Sequence, residues 1–281
     1  MMTTAKIKHP VIRYHGGKFR LASWVIQHMP EHTCYVEPFG GAAGVLIQKP
    51  RSYAEVYNDL DGEVVNLFRV LRDEELCQRL KDACLLTPYA RDEFYAAREL
   101  SNEPVERARR MVVRASMGFG SAAGLGGNSG FRGDSKRKYA TAAHLWERYP
   151  HNLAVICQRL QGVIIENKDA IAIMRAHDAE TTLHYIDPPY VTETRAKGNR
   201  SYNHEMTDAD HIQLLAVATT LAGKVMISGY DCELYRDLLT GWNLVSKESR
   251  ISAGRGTKVK TECLWLSPDI SCGAAEFRVV E

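Results

Sequence analysis

The chain has 281 residues, 45% hydrophobic and 25% charged, and its 36 basic against 34 acidic residues leave a formal charge of only +2. This reads as an ordinary soluble globular protein, one large domain or a domain with an insertion, and excludes any partner argued from net charge alone. Seven scattered cysteines, odd in number and without CxxC spacing, fit reduced thiols and exclude a disulfide framework or a zinc site.

The N-terminal residues hold no apolar core of signal-peptide length, and no stretch approaches the roughly 18 apolar residues of a membrane span, so a cytoplasmic protein is expected. In chain order, 20–29 carries apolar residues at helical spacing and Pro30 closes it. CYVEPFGG reads as a short buried strand entering a glycine turn, AGVLIQK as the helix that turn opens, and SYAEVYNDLD as a second strand ending in two carboxylates. GEVVNLFRVLRDEELCQRLKDAC continues as helix. This is the βαβ grammar of a parallel, nucleotide-type sheet. Residues 75–115 look almost wholly helical, then GFGSAAGLGGNSGFRGDSKRK cannot bury a core of its own, and a further helix is expected at 141–160. From Gly162 the strands return as VIIEN, TLHYID, KVMIS, NLVSK and ECLWL, with TDADHIQLLAVATTL a helix capped by Thr207 or Asp208. The expected architecture is an α/β Rossmann-like sheet formed by 1–75 and 161–281, interrupted by a mainly helical insertion at 76–160.

Charge is unevenly spread. Between Val105 and Pro150 stand nine Lys/Arg and three acids, either a phosphate-facing surface or a solvated basic face. In VEPFGGAAG, Gly40, Gly41 and Gly44 let the backbone pass close to a ligand, or simply pack tightly. Asp59 follows about 20 residues on, where an acid accepts from two ribose hydroxyls, so a nucleoside-containing ligand is favoured. The pattern is not G-x-G-x-x-G, which disfavours a dinucleotide. YHGGK is not a phosphate loop: Ile12 stands where its first glycine belongs and Phe19 where the magnesium-holding hydroxyl belongs. The segment still offers a Gly-Gly turn and the fixed charge of Lys18.

IDPPY closes a strand, at the edge where open α/β sheets bind ligands. Neither proline can donate to the ladder, so the strand ends there. The Asp187 carboxylate and the Pro188 carbonyl can accept from an amino group, with Pro189 fixing the corner, and Tyr190 offers a flat face to a planar ring. Together these suit the exocyclic amine of a nucleobase.

YHGGK, VEPFGGAAG, the Asn58-Asp59 pair, IDPPY and GTKVKTECLWL together resemble the Dam-type class of DNA adenine-N6 methyltransferases, over about residues 11–268 and least in the insertion. The resemblance implies S-adenosylmethionine as cofactor, contacted by Tyr14, Lys18, Asp59 and Asp187, with Glu37, Phe39 and Gly40 along it. Family members commonly carry Trp where Tyr14 stands. Asp169 either meets the adenosine or is an ordinary strand-end acid.

The expected reaction is direct displacement onto adenine N6 of a base flipped from DNA, expected double-stranded, without a covalent adduct or a metal. Asp187, Pro188, Pro189 and Tyr190 are the catalytic set. For DNA, the candidates are Asn128, Arg132, Lys136, Arg137 and Lys138 in the insertion, with Arg195, Lys197 and Arg200 in TRAKGNRSYNHE, expected to be a lid over the flipped base. SRISAGRGTKVK offers a further basic surface. The glycine-rich insertion does not match the hairpin with which Dam-type enzymes read GATC, so a shorter or relaxed site stands beside GATC. Cytosine-N4 methylation, RNA or protein-amide methylation and a catalytically silent DNA-binding relative remain alternatives. Phage protection, a restriction partner and regulation all fit.

Overall fold

The computed structural model describes residues 7–120, 129–136, 140–194, 203–253, 256–270 and 278–279. Among these, eight strands form one sheet: β1 (Cys34–Glu37), β2 (Ala54–Asn58), β3 (Ile164–Glu166), β4 (Thr182–Ile186), β5 (Lys224–Gly229), β6 (Asn243–Ala253), β7 (Gly256–Leu266) and β8 (Arg278–Val279). The spatial order is β3-β2-β1-β4-β5-β7-β6-β8. The first five are parallel, and β7, β6 and β8 add antiparallel partners. Among the parallel strands, chain order runs outward in both directions from β1 and β4, so the switch point of the sheet lies between them. That is where an α/β sheet opens a crevice.

Ten helices flank it among the described residues: α1 (Ala22–Gln27), α2 (Gly62–Arg72), α3 (Glu74–Leu86), α4 (Arg91–Ala96), α5 (Pro104–Met117), α6 (Ala142–Arg148), α7 (Leu153–Leu160), α8 (Ala170–Ala176), α9 (Asp208–Ala218) and α10 (Glu233–Leu238). Strand alternation divides the core. Tyr35, Tyr57, Leu183, Tyr185, Leu264 and Leu266 pack with α1–α7 on one face. Ile186, Val225, Ile227, Cys263 and Trp265 pack with α8–α10 on the other. The Rossmann-like α/β fold is therefore as expected, and the described helices of 76–160 lie against one face and share its core.

Several local expectations change. AGVLIQK is not a regular helix. Gly41 and Ala43 take positive φ (46° and 51°), and 43–49 forms mixed i+3 and i+4 turns. The 62–84 helix breaks at Asp73, whose extended backbone and side chain cap α3 at Leu76 N–H. The strands at NLVSK and ECLWL are longer than their apolar runs, 11 residues each in one β6–β7 hairpin. The basic excess of α5 is mostly not a free surface. Arg107 pairs with Glu63, Arg109 with Glu93 and Glu106, Arg110 with Glu106, and Arg114 donates to the Ala97 carbonyl. Guanidinium groups half-buried against carboxylates are spent within the fold.

Candidate active site

Three adjacent strands end alike. Tyr35-Val36-Glu37 closes β1, Tyr57-Asn58-Asp59 follows from β2, and Tyr185-Ile186-Asp187 from β4. Side chains two apart share a face, so each buried tyrosine anchors its strand while the acid reaches the carboxyl edge.

Glu37 stands opposite Tyr57 in the β1–β2 register. The Tyr35 hydroxyl donates to Glu37 Oε2 at 2.9 Å and the Leu46 N–H donates to the same oxygen at 3.1 Å. Burial pushes the Glu37 acid up to about 8 despite those donors, which favours its neutral form. Asp59 Oδ2 accepts from Gly41 N–H and Oδ1 from Asp61 N–H, both at 2.8 Å. Burial again dominates and pushes Asp59 up to about 6. Each of its oxygens keeps a second lone pair for a hydroxyl.

Lys18, only 7% exposed, places Nζ 2.8 Å from Asp187 Oδ1. It also donates to the Gly16 carbonyl at 2.9 Å and lies 4.7 Å from the centre of the Tyr190 ring. Burial raises the Asp187 acid, and the Lys18 charge opposes that rise. Tyr190 meets Tyr230 edge-on, centroids 4.6 Å apart at 78°, and its hydroxyl donates to Glu262 Oε2 at 2.8 Å.

All eight sequence-derived cofactor candidates, Tyr14, Lys18, Glu37, Phe39, Gly40, Asp59, Asp169 and Asp187, line a single cavity of about 280 Å³ at the carboxyl ends of β1–β4. This is close to the lower end of the usual size for a small-molecule site, about 300 Å³. Pro189 reaches it from the DPPY corner, whereas Pro188 and Tyr190 are not among its lining residues, and Tyr190 packs against Tyr230. Asp169 is also the cap of α8, accepting from Ala172 N–H at 3.0 Å. Gly40 has no alternative: a Cβ there would stand 2.1 Å from the Tyr57 ring.

A family model described as D12 class N6 adenine-specific DNA methyltransferase matches residues 14–253. The chain belongs to that family. It is an adenine-specific DNA methyltransferase, which sets aside the cytosine-N4 and silent-relative readings. Among its relatives, DNA adenine methylase of Escherichia coli K12 is 24% identical over 89% of this chain and 92% of its own length. DNA adenine methylase of Salmonella typhi is 23% identical over the same shares. The type II methyltransferase M1.LlaDCHI of Lactococcus lactis subsp. cremoris is 26% identical over 87% of this chain and 89% of its own.

The methyltransferase holds further lining residues that the motifs did not flag. Asp61 caps α2 through Glu63 N–H and accepts from Asn203 Nδ2 at 2.8 Å. Asn203, His204, Glu205 and Met206 line the same cavity, so the described end of TRAKGNRSYNHE forms part of its wall; the rest of the expected lid lies outside the described residues. The NDLDG spacing was the one available signal for Asp61; nothing local marked Asn203. Of the DNA candidates, Arg132 is 5% exposed, with its backbone bonded to Met117 and Tyr89, and Lys136 is exposed. Asn128, Arg137, Lys138, Arg195, Lys197 and Arg200 lie outside the described residues. An antiparallel bridge pairs Gly118 with Phe131, described residues on either side of the glycine-rich run. Among the described residues no cluster of His, Cys, Asp or Glu could hold a metal ion, and no helix is long and apolar enough to cross a membrane.

Proposed function

We propose that the methyl donor is S-adenosylmethionine, held in the cavity at the switch point, and that the target adenine is flipped from double-stranded DNA against Tyr190. The observation that carries this is the convergence of eight residues on one cavity, among them Asp187, whose partner Lys18 also lies over the Tyr190 ring. The donor set suits such a cofactor. Seven acids (Glu37, Asp59, Asp61, Asp169, Asp187, Glu205, Asp210) face two lysines (Lys18, Lys168) around a lining that includes Phe39, Ile171 and Leu214. A ligand with a positive charge, two hydroxyls and a flat ring meets each of these needs.

Bound there, the cofactor supplies an electrophilic methyl group on a sulfonium. Asp59 is fixed by two backbone donors and accepts from ribose hydroxyls with the lone pairs left over. Neutral Glu37 keeps a second negative charge out of the centre. Asp187 and the Pro188 carbonyl accept from the adenine amine, drawing its nitrogen toward a tetrahedral, nucleophilic form, and orientation supplies most of the rate. Lys18 offsets the charge of a buried Asp187 and gives up Oδ1 when an amine takes its place.

Residues 76–160 serve as the recognition insertion. With the α5 arginines paired inside the fold, phosphate contact falls to Lys136 and the segments around 128–138 and 195–200, and a short or relaxed target site follows from a loop rich in glycine and serine. The test is methylation of plasmid DNA free of adenine methylation, followed by single-molecule sequencing and binding of S-adenosylmethionine by calorimetry. N6-methyladenine in a short or relaxed context is expected. Tight binding of a different methyl donor, or transfer only to single strands, would refute the proposal.

A further inference from the structure

We propose that Glu262 is a positioning residue for methyl transfer, holding the Tyr190 ring against the target base through its hydroxyl. This rests on the assignment of Tyr190 to the base pocket.

On β7, Leu264 and Leu266 pack into the core that holds Tyr185, whereas Cys263 and Trp265 join the opposite one. Glu262 continues the Leu264 side and is 7% exposed, so a carboxyl group stands where alternation calls for an apolar residue. Burying such a group is costly unless it is hydrogen-bonded, and its partner is the Tyr190 hydroxyl at 2.8 Å. Cys263 pairs with Gly229, the last residue of β5, which puts Glu262 at the level where the parallel strands open.

The geometry gives this bond two effects. Tyr190 follows the β4 corner on irregular chain, while Glu262 sits on a paired strand, so the bond ties a loop ring to a rigid element. With the Tyr230 edge contact it fixes the ring at two points, with Lys18 Nζ 4.7 Å from the ring centre. The Tyr190 hydroxyl also lies within hydrogen-bonding reach of the Asp187 carboxyl, and a phenol has a single proton. Once given to Glu262, it is not available to compete with an amine for Asp187.

The experiment uses the full chain, methyl-labelled S-adenosylmethionine and plasmid DNA free of adenine methylation. E262A and Y190F should each lower kcat by about ten- to a hundredfold, the range expected when a reacting group is slightly misplaced. Calorimetric binding and KM for S-adenosylmethionine should be unchanged. E262Q, whose amide oxygen still accepts, should recover most of the rate. The Y190F/E262A double variant should be no slower than Y190F, because both changes delete one bond. Parental kcat in E262A, losses that multiply in the double variant, or E262Q as slow as E262A would each overturn the proposal. Where E262A fails to fold, parental kcat in Y190F overturns it as well. D187A run alongside separates the two ideas: an active D187A removes the pocket assignment itself. An inactive D187A beside a fully active E262A removes only the role of Glu262.

Discussion

Asp187 carries an unusual combination: burial that favours its neutral form, and a lysine at 2.8 Å that favours its charged one. Replacing it by Asn keeps the shape and one acceptor but loses the charge that Lys18 and the amine answer. Asp187→Asn leaves Lys18 without its charged partner and should lower the unfolding midpoint while keeping the fold, and Asp187→Ala should lose at least about a hundredfold in kcat, the scale of removing one preorganised polar group. Activity near the parent in both variants would sink the mechanism. Asp59 gives a pH signature. Its acid is pushed up to about 6 in the folded chain, so it takes a proton as pH falls through that value and can no longer accept with full strength. S-adenosylmethionine affinity should therefore weaken below about pH 6, and calorimetry on Asp59→Asn should show weaker binding without that dependence.

At the scale of elements, β1 and β2 bear the consequences of their buried acids in opposite ways. Glu37 on β1 has its folded acid raised to about 8, well above its unfolded value, so the folded state holds the proton more tightly between the two. Stability conferred relative to the ionised form is complete below the unfolded value and is lost as pH rises through about 8. Urea unfolding of the parent should weaken from pH 6 to pH 9 more than that of Glu37→Gln; equal slopes would remove Glu37 as the cause. Glu55 on β2 is the reverse case. Arg159 from α7 meets it through two bonds, 2.7 and 2.9 Å, and Lys49 adds a third at 2.8 Å. Burial disfavours the charge, but these donors together hold the Glu55 acid below its ordinary value. Arg159→Ala leaves a buried carboxylate short of its partner and should cost about 3–5 kcal/mol in urea unfolding. A loss under about 1 kcal/mol would mean that water replaces the guanidinium.

Among the described residues, the two largest cores lie back to back across one sheet. The helices of 76–160 supply much of one core, and Arg159, near the end of that stretch, reaches Glu55 in the sheet and the Leu46 carbonyl. The proposed recognition insertion and the sheet are thus continuous in packing among the described residues. Unfolding followed by tryptophan fluorescence should coincide with that followed by circular dichroism, since Trp24 and Trp146 report one core and Trp242 and Trp265 the other. Two resolved transitions would show that 76–160 unfolds by itself.

The sequence by itself determined the chemistry. DPPY, the glycine turn and Asp59 are local patterns, because a strand end, a tight turn and an acid at fixed spacing depend on neighbours within a few residues. The parallel strands were legible for the same reason, as was Thr207 at the cap of α9. The tertiary structure decided what distance in sequence conceals. The repeated tyrosine and acid at the ends of β1, β2 and β4 acquires meaning only when those strands are neighbours. The α5 arginines look like a surface until their carboxylates, one of them 44 residues away, are brought beside them. Glu262 lies 72 residues from Tyr190, in a strand read only as apolar. Hydrogen bonds and ion pairs act over a few ångströms of space, and no spacing along the chain records which distant groups the sheet brings that close.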